Sequence, residues 1–278
     1  MKRAKSGGRR RARPMVQGRG SSSFGVALKR WVSPVVDPSA ILRGLRGYVW
    51  FARDWRRYKR MPGAEPLSWR EAYPVLHDKV ATSPYDAHYF FQDNWALRRI
   101  LENRPARHVD VGSRVDTVAH VAASVPTTFV DLRPLEAKVE GLDSRAGTIL
   151  SLPYGDDSVE SLSCLHVAEH IGLGRYGDPL DPQGTRKACQ ELQRVLAPGG
   201  NLYFALPVGR ERVAFNANRV HAPRTILGYF DRLALVEFSA VDDCGVFHRA
   251  TSPESVEGEE YACGMFWLRK EPQRAASS

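Results

Sequence analysis

The chain has 278 residues, 43% hydrophobic and 26% charged, too long and too apolar for a disordered tail and enough for one large domain plus an appendage. No run of about 18 apolar residues occurs, which excludes a hydrophobic membrane-spanning helix. Cys164, Cys189, Cys244 and Cys263 lie far apart without C-x-x-C spacing, which argues against a disulfide scaffold or thiolate zinc knuckle and for a reducing, cytoplasmic setting. The net charge of +9 is concentrated at one end. Residues 1–60 hold 17 Lys and Arg against Asp37 and Asp54, a net +15, so residues 61–278 carry −6, and any polyanion partner belongs to the first sixty residues.

Residues 1–23 are Arg, Gly and Ser with little to bury and are expected to be disordered. From Ser39 to Arg60, Ile41, Leu45, Tyr48, Ala52 and Trp55 recur at steps of three and four, the period of an amphipathic helix, which Pro62, Gly63 and Pro66 end. A second helix is predicted from about Asp86 through Tyr89, Phe90, Trp95, Leu97 and Leu101 to Pro105. Strands and helices then alternate: a strand at 108–112, a helix carrying Val115, Val118, Ala119 and Ala122, a strand at 127–131, a weak strand at 148–150, and a strand at 158–167. A helix at 186–196 follows, which Pro198-Gly199-Gly200 separates from the strand NLYFALPV. A helix at 226–230 and strands at 233–239 and 261–268 complete the chain. The alternation predicts an α/β fold with a parallel sheet covered on both faces. The expected boundaries are a disordered tail at 1–23, a helical extension at 24–105, the α/β domain at 106–270 and a disordered tail at 271–278.

The first candidate site is the turn D-V-G-S-R at 110–114, because ligands of open α/β sheets sit beyond the carboxyl ends of strands at a topological crossover. Gly112 permits close backbone approach, although a dinucleotide fold would place more glycines there. Asp131 ends the second strand, 21 positions after Asp110, near the spacing at which a carboxylate accepts from ribose hydroxyls. His166, Glu169 and His170 spell H-x-x-E-H, an inverted zinc-protease signature. Gly172 and Gly174 follow at once and discourage the long helix that would bring both histidines to a metal, so no metal is expected at this pair.

The segment LPYGDDSVESLSCLHVAEH followed by ELQRVLAPGGNLYFALP resembles class I S-adenosylmethionine-dependent methyltransferases. More narrowly, HYFFQDNWA, HVDVGSRVD, VDLRPLE, HVAEHIGLGRYGDPLDPQG and FNANRVHAP resemble a family of bacterial proteins with a domain of unknown function, DUF268, over roughly residues 60 to 270. This resemblance implies a Rossmann-like, doubly wound, mostly parallel sheet with an antiparallel last strand and a helical N-terminal extension. It implies S-adenosylmethionine as cofactor, with Asp110, Gly112, Ser113, Arg114, Asp131 and Leu132 around its amino-acid and ribose portions. Thr148 stands where an acid often meets the adenine amine, so Leu150, Ser151 and Leu152 are expected to read that edge.

His166, Glu169 and His170 are the candidate bases of methyl transfer to oxygen. Arg175, Tyr176, Asn218, Arg219 and His221, polar and aromatic residues after strand ends, are the candidate contacts of a small or glycan-like acceptor. The surface-polysaccharide connection is a family-level implication. Three other readings stand beside it: a non-catalytic binding or scaffold protein on the same fold, a zinc protein through H-x-x-E-H, and a nucleic-acid methyltransferase. The acidic domain weighs against the last, and no nucleic-acid partner is expected. Trp31, Trp50, Phe51 and Trp55 among arginines make residues 1–60 a candidate for peripheral contact with an anionic membrane, against the plainer expectation that Ile41, Leu45, Tyr48 and Trp55 pack onto protein. The sequence leaves the oligomeric state open.

Overall fold

The computed structural model describes residues 38–272, and both segments expected as disordered tails fall wholly or almost wholly outside them. The chain divides into two compact units between Tyr85 and Asp86. In the first, α1 (Pro38–Tyr58) covers most of the predicted span, and only the C-terminal part of the predicted apolar face is packed. Leu45 and Tyr48 are exposed, whereas Trp55 stacks on Trp69 with ring centroids 4.5 Å apart and Lys79 lies 4.7 Å over the Trp50 ring. A Cβ at Gly47 would lie 2.8 Å from Leu76, so this glycine marks a side on which the following segment approaches α1. No helix among the described residues is long and apolar enough to cross a membrane.

The second unit opens with α2 (Ala87–Asn103). Asp86 caps it, accepting from the amides of His88 at 3.0 Å and Tyr89 at 3.4 Å. The sequence grouped this helix with the N-terminal extension, and the structure corrects that. Trp95, Ala96 and Ile100 share an apolar cluster with Val121, Tyr203 and Met265, and Arg99, only 4% exposed, pairs with Glu237 at 2.7 Å.

The remaining elements follow as β1 (His108–Val111), α3 (Val115–Ala122), β2 (Thr127–Asp131), β3 (Leu142–Ala146), β4 (Val159–Leu165), α4 (Gly184–Val195), β5 (Leu196–Val208), β6 (Arg212–Ala214), β7 (Asn218–Val220), α5 (Pro223–Tyr229), β8 (Leu233–Val241), β9 (Phe247–His248) and β10 (Ala262–Lys270). One sheet takes the order β3-β2-β1-β4-β5-β10-β8-β9. β3 through β5 run parallel, and β10 lies antiparallel between β5 and β8. This is the expected doubly wound, mostly parallel, Rossmann-like sheet with an antiparallel last strand. Apolar clusters cover both faces, one built on α4 and α5 through Ala188, Leu192, Ile226 and Phe230 and the other on α2.

Two strands differ from expectation. Thr148 makes only an isolated bridge to Ser151, and the third strand is the more polar LDSRA at Leu142–Ala146. A sheet edge is where a strand can leave its side chains in water and so lose the apolar signature. The Pro198-Gly199-Gly200 turn falls inside β5, where the register to β4 jumps from Val159↔Leu196 to Ser161↔Asn201. The expected turn persists as residues looped out of the ladder.

Candidate functional site

The strand order reverses between β1 and β4, and the turns leaving β1, β2 and β4 open onto one cavity of about 530 Å³ with an inner recess of about 80 Å³ beside it. Gly112, Asp131, Arg133, His166, His170 and Tyr176 line both. Position follows from topology, since diverging crossovers leave a crevice at the carboxyl ends of the central strands.

The turn after β1 depends on Gly112, whose φ is +70°. A Cβ there would lie 3.0 Å from Val167 and 3.4 Å from Asp131 Oδ2, so the glycine leaves the carboxylate open. Asp110 does not line the cavity but lies beneath the turn. Its Oδ1 accepts from the Ser113 amide at 3.0 Å and its Oδ2 from the Ser163 hydroxyl. His108 Nε2 and Nδ1 stand 2.8 Å from Ser163 and Ser161. With the Ser163 proton given to Asp110, Nε2 must donate to Ser163, and Nδ1 accepts from Ser161. Burial holds His108 neutral, its pKa pushed down to about 3, and pushes the Asp110 carboxyl up to about 6. The role expected for Asp110 as a direct cofactor contact therefore becomes that of fixing the turn. Ser113 lines the cavity while its hydroxyl accepts from the Leu165 amide at 3.1 Å, and Arg114 lies 4.7 Å over the Tyr89 ring.

Asp131 Oδ1 accepts from the Arg133 amide at 2.7 Å, leaving Oδ2 without a hydrogen bond. Leu132 lines the recess. Leu150, Ser151 and Leu152 do not line either space. Leu152 is buried with its amide donating to Glu191 at 2.6 Å, and Gly147 and Ile149 take the expected place in the recess.

The H-V-A-E-H segment forms a single 3-10 turn, Ala168–His170, after His166 with φ +56°. No helix brings His166 and His170 side by side as an inverted zinc motif requires. Glu169 is 0% exposed and neither oxygen has a hydrogen-bond partner. His170 lies beside it, Nε2 to Oε1 at 3.7 Å. The Ala217 carbonyl accepts from His170 Nδ1 at 2.6 Å, which puts the His170 proton on Nδ1 and leaves Nε2 with its lone pair. Burial pushes the Glu169 carboxyl up to about 8 and His170 down to about 4. At neutral pH both are uncharged. His166 is occupied elsewhere: its Nδ1 bonds to Gln92 Oε1 and its Nε2 is buried without a partner.

Of the residues expected to contact an acceptor, Arg175, Tyr176 and Asn218 line the cavity. Arg133 and Arg175 flank the Tyr176 ring at 4.6 and 5.1 Å. Two expected contacts fall away. Arg219, 5% exposed, donates to the carbonyls of Ile171 at 2.5 Å and Asp181 at 3.0 Å, holding both ends of the 172–181 loop. His221 packs its ring edge-on against Tyr229 at 5.9 Å, outside the cavity. The β6–β7 hairpin that carries this segment was not anticipated. Arg219→Ala should cost about 1–3 kcal/mol by leaving the buried Ile171 carbonyl unpaired and removing one of the two donors to the Asp181 carbonyl, which keeps the Gly184 amide. Urea unfolding measures this, and an unchanged midpoint would refute the clamp.

Sequence reasoning missed Tyr89, Tyr261 and Arg133 on the cavity. It also missed Asp178, whose carboxylate accepts from the amides of Gly172 at 2.6 Å and Tyr176 at 3.2 Å and organises the loop. Tyr89, Arg133 and Asp178 lay in segments already singled out, HYFFQDNWA, VDLRPLE and HVAEHIGLGRYGDPLDPQG, and Tyr261 opened a predicted strand.

A family model described as "Caenorhabditis protein of unknown function, DUF268" matches residues 156–234, from the β4 strand to the start of β8. The match is shorter than the 60–270 expected, and the description names Caenorhabditis, so the bacterial attribution made from sequence has no support. Among curated proteins, none matches this sequence. Solved structures similar to the chain include the N-methyltransferase NodS from Bradyrhizobium japonicum WM9 in complex with S-adenosyl-l-homocysteine, at 16% identity over 71% of this chain and 91% of that one, TM-score 0.48. Geranyl diphosphate methyltransferase in complex with SAM is similar at 12% identity, 65% and 84% coverage and TM-score 0.48. So is the [4+2]-cyclase SpnF, at 14%, 65% and 80%, and 0.46.

Proposed function

We propose that this cavity binds S-adenosylmethionine and that the chain transfers its methyl group to an oxygen of a small or glycan-like acceptor. The observation that carries the reading is a convergence in one cavity at the sheet's reversal: an open glycine turn, a carboxylate with a free oxygen, and a buried carboxyl–imidazole pair. Asp131 Oδ2 would accept from ribose hydroxyls, the Gly112 turn would admit the amino-acid portion, and Gly147 and Ile149 would floor the adenine recess. Bound there, the cofactor supplies an electrophilic methyl carbon.

The chain's own residues then align the acceptor, exclude water and take its proton. His170 Nε2 receives that proton, and Glu169, as the carboxylate that a bound sulfonium favours, offsets the resulting charge. His170 is preferred to His166, the third candidate base, because its Nε2 faces the Glu169 carboxyl at 3.7 Å whereas His166 Nε2 is buried without a partner. Arg133, Arg175 and Tyr176 suit a hydroxylated or phosphorylated acceptor.

Calorimetric titration of the full chain with S-adenosylmethionine should give one site per chain, and a folded sample that binds neither the cofactor nor its demethylated product sinks the proposal. Glu169 supplies a sharper signature. A sulfonium cation in the same cavity favours the carboxylate over the acid, so near pH 7 binding of S-adenosylmethionine should release protons and binding of the neutral thioether product should not. Titrations in two buffers of different ionisation enthalpy count those protons. A binding protein without turnover is the second reading, favoured by Arg114 lying where a further glycine would continue the loop. A methyl-release assay separates the two.

A further inference from the structure

Beside the Glu169–His170 pair, three metal-ligating side chains converge from distant parts of the second unit: His88 in the first turn of α2, His166 after β4, and Cys263 near the start of β10. One ligand atom from each lies within 4.8 Å of the other two. We propose that His88, His166 and Cys263 form a binding site for one zinc ion. The inference stands independently of the methyl-transfer reading and differs from the H-x-x-E-H arrangement, since His170 takes no part.

The tautomer of His166 is the strongest support. Gln92 Nε2 donates to Asp93 at 3.1 Å, which turns Gln92 Oε1 toward His166 Nδ1. Nδ1 therefore carries the proton and Nε2 the lone pair, yet Nε2 is buried with no hydrogen-bond partner. An imidazole whose N–H is held by a carbonyl oxygen while the other nitrogen is bare has the arrangement of a metal-bound histidine. His88 is oriented by stacking on the Tyr261 ring, the centroids 5.4 Å apart. No hydrogen bond engages Cys263 Sγ with either ring, so a thiol–imidazole pair does not account for the cluster.

Two imidazoles and a thiolate are a borderline-soft donor set that suits zinc over magnesium or calcium. Zinc bonds of about 2.0 Å to nitrogen and 2.3 Å to sulfur place ligand atoms roughly 3.5 Å apart, so side-chain rotations that close the cluster by about 1 Å suffice. His166 also lines the cavity, and no fourth His, Cys, Asp or Glu joins the cluster among the described residues. The fourth position is thus left for water or a cavity ligand. Coordination replaces the Cys263 S–H bond by a sulfur–metal bond and releases that proton to solvent, with no electron transferred.

The test uses the full chain, stripped by a chelator and titrated anaerobically with cobalt(II) as a spectroscopic stand-in. One cobalt per chain should bind with a thiolate-to-cobalt charge-transfer band in the near ultraviolet, and one equivalent of zinc should displace it. Cys263→Ser should abolish the band and His88→Gln should weaken binding at least tenfold, while His170→Gln keeps both band and stoichiometry. A folded wild-type chain without the band, or a band that survives Cys263→Ser, overturns the site. Should Cys263→Ser not fold, His88→Gln and His166→Gln decide, because a band undiminished in both overturns it equally.

Discussion

Asp131→Ala should weaken S-adenosylmethionine binding by about 1.5–3 kcal/mol, roughly ten- to more than a hundredfold, with little loss of fold stability. The carboxylate is positioned from one side only. Oδ1 is engaged by the Arg133 amide, and Oδ2 faces the Gly112 turn with no partner to lose on folding. Gly112→Val goes further and should abolish binding. A β-branched side chain at φ +70° is strained, and its Cβ would lie within 3.4 Å of Oδ2 and press on Val167. Calorimetry of both variants, each checked for cooperative unfolding, measures the effect. Wild-type affinity in Asp131→Ala would remove the ribose contact from the proposal, whereas equal loss in Leu132→Ala would point to a general disturbance of the β2 end.

Glu169→Gln should lower turnover about 100-fold or more while leaving affinity for the neutral demethylated product nearly unchanged. In the wild type, kcat/KM for the cofactor should rise with pH as Glu169 of the free enzyme ionises around pH 8, and the glutamine variant should lose that rise. Stability should move the opposite way. A carboxyl whose pKa rises from 4.5 unfolded to about 8 folded contributes stability that is full below pH 4.5 and is lost as pH climbs through 8. A neutral amide removes that dependence, so Glu169→Gln should melt higher than wild type at pH 8–9 and lose the advantage near pH 5. Thermal unfolding at the two values tests this. A variant less stable at both would make Glu169 an ordinary structural residue.

How far the sequence foretold these residues depended on distance along the chain. β1, β2 and β4 are buried apolar runs with clear ends, so Gly112, Asp131, Glu169 and His170 could be placed at strand ends from their position alone. β3 could not, because LDSRA exposes most of its side chains. Nor could Arg219, since a lone arginine in a polar loop looks like a ligand contact until two carbonyls are found on its guanidinium. Tyr89, Tyr261 and Cys263 reach their places only through the packing of α2 and β10 against β4 and β5, and no local pattern records such pairings. The strand order itself was anticipated through family resemblance more than through periodicity, which shows where strands are but not how they neighbour.

The helix α2 bears on how the protein can be dissected. A limited-proteolysis or deletion strategy guided by the first strand would cut near residue 106. That cut would remove His88, Tyr89 and Gln92 from the site, uncover the surface that receives Trp95 and Ile100, and strand Glu237 without its arginine. The smallest autonomous fragment should instead start ahead of Asp86, with the cap residue retained. Protease nicking between Tyr85 and Asp86 should leave a stable core, whereas cleavage past Asn103 should yield insoluble material.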